Sequence, residues 1–393
     1  MGQIESYTAI ALVLSALAPV GFKFLRRPGG YLALGLLVES VVYPHQFFGY
    51  LLWIGLLFAF ASLVERVTPQ TTKGSGKKRW TYACAAMLTV IAIFFAGSLH
   101  LLDRVSIRAF GVLWTLPDHD MWLLLRSISF LWEFGSGRMK KIGFVDYLVW
   151  ITFPFTVIGP LIRPSEFFPQ YTRSTPPTLT SKVPDRQWWQ KLSLAVAQMI
   201  VGAGLNWASV AIDHLGGHWP KLLMIFGTTP WSFYWGTSGL FHLMECLSLL
   251  WGIELPPSFN WPFGRTNLSE YWARWNMTIV RVCRDYLFYN RWGLKKLNAY
   301  FNTMMVFLAV GLWHGMNFYW GTWGILNGAG FCGYLWYRGH KPQLAALVSR
   351  IGSERFRDIS SRVLTYTFVC LTWYVANKIV LGLRHPPLPD QLR

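Results

Sequence analysis

The chain has 393 residues, 53% of them hydrophobic and 17% aromatic with only 14% charged, a balance that excludes an ordinary soluble domain and indicates an integral membrane protein. Its formal charge of +18 would suit nucleic acid, but the cations lie in short loops between apolar runs and not along one stripe, so nucleic acid is not an expected partner. The five cysteines (Cys84, Cys246, Cys283, Cys332, Cys370) form no CxxC pair and no Cys/His cluster, which argues against a disulfide framework and against a metal site.

Apolar runs predict membrane helices over 7–24, 31–43, 47–64, 80–102, 121–134 and 144–162, several of them shorter than a full span. The first follows Glu5 with no basic n-region and no cleavage site, and reads as a retained helix. Cations follow alternate runs: Lys23, Arg26 and Arg27 after the first, Lys73, Lys77, Lys78 and Arg79 in a flexible link after the third, Arg138, Lys140 and Lys141 after the fifth. Placing these loops in the cytoplasm puts the N-terminus outside a plasma (inner) membrane crossed many times. The basic, proline-punctuated loop 163–187 breaks that alternation, which makes 144–162 a candidate re-entrant segment, permitted only where protein covers its backbone.

Further helices are expected over 189–212, 222–235, 236–251, 298–320, 321–337 and 363–383. No internal repeat is visible, and the whole chain reads as one polytopic membrane domain: N-terminal helices over 1–120, a core over 121–337, and a C-terminal loop and helix over 338–393. The stretch 256–292 differs, being too polar for a span and too aromatic for a solvated loop. Asn267 followed by Glu270 has the form of a capping box, so a helix is predicted from Leu268, with Glu270–Arg274 and Arg281–Asp285 spaced to pair and Trp272, Asn276, Ile279 and Cys283 on or near one face. Arg126 and Glu133 read as lone charges in an apolar helix.

His314, in "GLWHGMNFYW", is the leading candidate for chemistry, because an apolar residue there would cost less free energy. Read alone, it is equally a hydrogen bond between packed helices. Gly311, Gly315, Gly324 and Gly328 make small-xxx-small patterns that admit a neighbouring backbone or a slim ligand. Asn276, in "WARWNMT", can donate to a carbonyl oxygen or accept from an imidazole, or can simply pack. Arg284 and Asp285 are either a structural ion pair or a contact for a phosphate-bearing donor. With no G-x-S-x-G elbow and no carboxylate dyad, a histidine without a nucleophilic partner suits direct transfer, in which it deprotonates a hydroxyl that attacks an activated acyl group.

Four stretches, in order, resemble the membrane-bound O-acyltransferase family, and in particular its bacterial branch of alginate O-acetyltransferases and D-alanyl transfer proteins: "RSISFLWEFGSGR" from Arg126, "FTVIGPLIRPSEFFPQ" from Phe155, "LPPSFNWPFGRTNLSEYWARWNMTIVRVCRDYLF" from Leu255 and "VFLAVGLWHGMNFYWGTWGILNG" from Val306. The resemblance implies an all-α bundle of about ten to twelve membrane helices with interfacial helices around a tunnel. It implies His314 and Asn276 as catalytic residues, with Trp313, Trp275, Trp272, Arg284, Asp285 and Asn317 as substrate contacts. It implies acyl-CoA or an acyl carrier protein as donor co-substrate, no bound cofactor, and a hydroxyl acceptor on an envelope polysaccharide, a lipid or a small molecule, with a carrier or periplasmic protein as a further partner. Two positions depart from the branch: Asn276, where bacterial members usually carry histidine and many eukaryotic members asparagine, and Asn327, where histidine often precedes the glycine. A transporter or flippase of a lipid-linked glycan, with His314 in a proton relay, and an inactive scaffold are the competing readings.

Overall fold

The computed structural model describes residues 28–42, 46–69, 74–98, 106–109, 112–115, 121–139, 141–157, 159–171, 185–288, 298–315, 317–349 and 352–384. The expected first helix and the cations Lys23, Arg26, Arg27, Lys73 and Lys140 lie outside them. The described chain is almost wholly helical. It opens with α1 (Pro28–Val42), α2 (Phe47–Val67) and α3 (Ser75–Ser98), followed by a two-stranded antiparallel hairpin, β1 (Ser106–Ala109) with β2 (Val112–Thr115), that the sequence did not announce. Next come α4 (Met121–Ser136), α5 (Phe144–Ile151), the single turn α6 (Pro164–Phe167) and α7 (Arg186–Asp213). The remainder is α8 (His218–Leu223), α9 (Thr229–Leu249), α10 (Leu268–Trp272), α11 (Met277–Val282), α12 (Ala299–His314), α13 (Phe318–Ser349) and α14 (Glu354–Arg384).

Among the described residues, three helices are long and apolar enough to cross a membrane: Phe47–Val67, Ser75–Ala96 and Arg186–Asp213. Lys77, Lys78 and Arg79 lie in the first turns of α3 and not in a flexible link. Where two shorter pieces were expected over 222–251, α8 passes through a π-type turn at Met224–Thr228 into α9, which runs unbroken to Leu249. The run 144–162 ends early. Pro154 lacks an N–H and pushes Phe153 out of the helical region (φ −59°, ψ 115°), so α5 stops at Ile151 and a 3₁₀ turn at Pro154–Thr156 follows. Phe153, Phe155, Val157, Leu161 and Ile162 are all buried, which meets the condition set for irregular backbone inside an apolar environment.

The chain divides into two compact units, Met1–Ala195 with Leu240–Pro257 and Val196–Gly239 with Ser258–Arg393. In the first, Arg126 is not a lone charge: its guanidinium donates to Glu39 at 2.9 Å and to the Ile151 carbonyl, and Tyr50 donates to the same Glu39 oxygen at 2.6 Å. Arg126 and Glu39 are 1% and 0% exposed, so each neutralises a charge the other could not leave buried. Glu133 likewise has a partner, accepting from the backbone N–H of Ser165 at 3.0 Å. In the second unit α12 lies along α13, and α13 along α14. The close approach of α12 and α13 needs glycine: a Cβ on Gly324 would fall 2.7 Å from the Phe307 carbonyl oxygen, and one on Gly311 would strike the Trp320 carbonyl.

Candidate active site

All the predicted site residues belong to the second unit. His314 is the last residue of α12 and does not sit inside a continuous helix over 298–320. Gly315 follows it in extended conformation, and Asn317 restarts the chain as the N-cap of α13, its side-chain oxygen accepting the backbone N–H of Trp320 at 3.1 Å. This helix–turn–helix brings the Trp320 ring onto His314, with centroids 4.6 Å apart and planes within 23°. Trp313 and Trp323 approach the same imidazole at 4.4 and 5.9 Å. Among the described residues His314 has no hydrogen-bond or ion-pair partner. The glycines beside it serve the neighbouring backbone; for Gly311 and Gly324 the space next to them is filled by the facing helix.

The helix predicted through Asn276 is interrupted. Asn267 caps α10 as expected, its side-chain oxygen accepting the Glu270 backbone N–H at 2.9 Å. The Glu270 carboxylate is drawn back to the Asn267 amide, and Arg274 donates to the Glu270 backbone carbonyl at 3.2 Å in place of forming the ion pair. After α10 the backbone breaks to join the extended segment 258–260: Asn260 N–H donates to the Arg274 carbonyl (3.0 Å) and Met277 N–H to the Ser258 carbonyl (2.7 Å). Asn276 takes up the turn in left-handed conformation (φ 42°, ψ 58°), which asparagine tolerates better than most residues. Its side-chain oxygen accepts from the Thr278 hydroxyl at 3.1 Å. The single face expected to carry Trp272, Asn276 and Cys283 therefore does not form. No hydrogen bond joins Asn276 to His314.

Rings connect the two positions instead. Trp272 meets Trp323 edge-on at 5.7 Å, and Trp275 lies against Tyr271 and Phe233 with nearly parallel planes. The indole N–H groups of Trp272 and Trp323 are buried with no acceptor among the described residues, an uncommon state for such a donor. A mainly apolar cavity of about 200 Å³ is lined by Phe233, Tyr271, Trp275, Tyr319, Cys370 and Trp373. Trp373, in the cavity wall, meets Trp320 at 5.6 Å, and Trp320 lies on His314, so these two rings stand between the cavity and the imidazole. Trp320 and Trp323 stand inside a quoted motif, but Phe233 and Trp373 lie in no motif and carried no signal in the sequence. Arg284 pairs with its neighbour Asp285 at 2.9 Å in a π-type turn, Cys283–Phe288, with Arg284 half exposed. Among the described residues, no group of three His, Cys, Asp or Glu side chains could hold a metal ion.

A family model described as MBOAT, membrane-bound O-acyltransferase family, matches residues 48–371. The chain belongs to this family. It is 26% identical over 252 residues to a peptidoglycan O-acetyltransferase of Helicobacter pylori, covering 58% of this chain and 43% of that protein. It is 23% identical over 291 residues to a probable alginate O-acetylase of Azotobacter vinelandii, covering 70% and 56%, and 26% identical over 165 residues to a teichoic acid D-alanyltransferase of Bacillus subtilis, covering 39% and 40%. The chain spans about half the length of the curated relatives it matches.

Proposed function

We propose that the chain transfers a short acyl group from a thioester, acyl-CoA or an acylated carrier protein, to a hydroxyl of an envelope polysaccharide at the inner membrane, with the N-terminus outside. The observation that carries this reading is His314: an imidazole with no hydrogen-bond partner among the described residues, walled by Trp313, Trp320 and Trp323 and two rings from an apolar cavity. An imidazole held by a hydrogen bond would serve packing, whereas a free one can take a proton. In the proposed step an imidazole nitrogen accepts the proton of the acceptor hydroxyl as its oxygen attacks the thioester carbonyl. The carbon–sulfur bond then breaks, and the imidazolium returns the proton to the leaving thiolate.

The carbonyl oxygen gains charge in this step, and the unpartnered N–H groups of Trp323 and Trp272 are donors suited to it. Asn276 orients the acceptor, and Trp275 walls the acyl cavity. Arg284 is the contact for phosphate on the donor, with Asp285 fixing its guanidinium. Trp313 and Asn317 serve the site through His314 and Trp320. The names of the relatives, which specify peptidoglycan, alginate and teichoic acid, support an envelope polymer as acceptor. A carrier or periplasmic protein is the proposed partner that delivers or receives the group.

The reading is tested in proteoliposomes with a labelled acetyl thioester and a glycan acceptor. One thioester is expected to be consumed for each ester formed, and Trp323→Phe, which keeps the ring and removes the N–H, is expected to slow turnover about a hundredfold. Glycan flux that varies with pH and consumes no thioester would mark a transporter instead.

A further inference from the structure

The first unit holds a second cavity, of about 240 Å³, that the acyl-transfer reading does not use. Its floor is apolar, formed by Phe58, Phe130 and Phe134, and its rim carries Arg66, Arg79 and Lys141 against one carboxylate, Glu65. Lys141 lies 3.6 Å from Glu65, and among the described residues neither Arg66 nor Arg79 has an ion-pair partner. Arg79 is held in place from two sides. Its guanidinium stands 5.8 Å from the Phe134 ring centroid, and Gly137, at φ +73° just past the end of α4, lets it pass where a Cβ would fall 2.7 Å from Nη2. Its Nε is buried with no acceptor among the described residues. A positioned guanidinium with an unused donor is built for an oxyanion.

The cavity's place in the chain identifies the source of that oxyanion. Arg66 is in the last turn of α2 and Arg79 in the first turns of α3, the two consecutive helices long enough to cross a bilayer, so both arginines mark the same membrane face. A cation-rimmed pocket with an aromatic floor at that depth matches a phosphate diester on an acyl-bearing molecule. We propose that this cavity binds the headgroup phosphate of an anionic membrane phospholipid, independently of the acyl-transfer site.

The test is native mass spectrometry of the full chain released from micelles containing phosphatidylglycerol or phosphatidylcholine, with and without added inorganic phosphate. Phosphatidylglycerol is expected to be retained in preference to phosphatidylcholine, and each of Arg66→Gln and Arg79→Gln to weaken retention about fivefold. Arg66 is exposed, so its substitution keeps the test valid if Arg79→Gln fails to fold, and Arg79→Lys is expected to restore part of the preference. Equal retention of the two lipids, or unchanged retention in a folded Arg66→Gln protein, overturns the proposal. Displacement of the lipid by inorganic phosphate alone would assign the pocket to a free anion and overturn the lipid source.

Discussion

At the scale of single residues, the chemistry turns on what His314 and Asn276 do not share. A histidine in an apolar run is visible in the sequence because it is costly there, and its motif neighbours pointed to catalysis. Its aromatic surroundings were only half visible, since Trp320 lies six residues away but Trp373, which backs Trp320, comes from a distant helix with no motif of its own. Asn276 was legible as a residue and misread in its setting: helical periodicity assumed a continuous helix, and the backbone hydrogen bonds to 258–260 that break it cannot be seen locally. The left-handed backbone makes a clean separation available. Asn276→Gly keeps that conformation and removes the amide, and is expected to preserve the thermal midpoint while lowering turnover. Asn276→Val adds strain of about 1–3 kcal/mol and is expected to lower the midpoint as well. Thermal denaturation in detergent alongside initial rates distinguishes the two, and full activity in Asn276→Gly would remove the amide from the mechanism.

At the scale of elements, long apolar runs were placed well because hydropathy and length carry them, as for α2, α4 and α7. The failures occur where one residue's covalent chemistry or a cap overrides the run. Pro154 ends α5, Gly315 and Asn317 divide the expected helix 298–320, and the polar link before α3 is partly helix. The division at Gly315 matters most for function, because it turns His314 from a mid-helix residue into a helix end facing the first turn of α13. That arrangement depends on α12 and α13 lying close together. Gly324→Leu would drive a side chain into the Phe307 carbonyl, and is expected to cost about 1–3 kcal/mol, read as a lowered thermal midpoint with turnover reduced in parallel. An unchanged midpoint would mean that the two helices can separate without penalty.

At the scale of the molecule, composition alone indicated a membrane protein, and four quoted blocks indicated its family, which the match over residues 48–371 bears out. The buried Arg126–Glu39–Tyr50 network of the first unit could not be read this way, because Glu39 and Arg126 are 87 residues apart and Arg126 looked solitary. The second unit holds His314 with its tryptophan walls and the apolar cavity, and no described residue hydrogen-bonds the imidazole. The central claim is that this base performs the transfer. It is tested most directly by following a labelled acyl group from thioester to glycan in proteoliposomes containing the parent chain or His314→Ala. Ester formation is expected to fall by about 10²–10⁴ in the variant while its thermal midpoint and monodispersity are kept. Transfer at the parent rate by a folded His314→Ala protein would contradict the account.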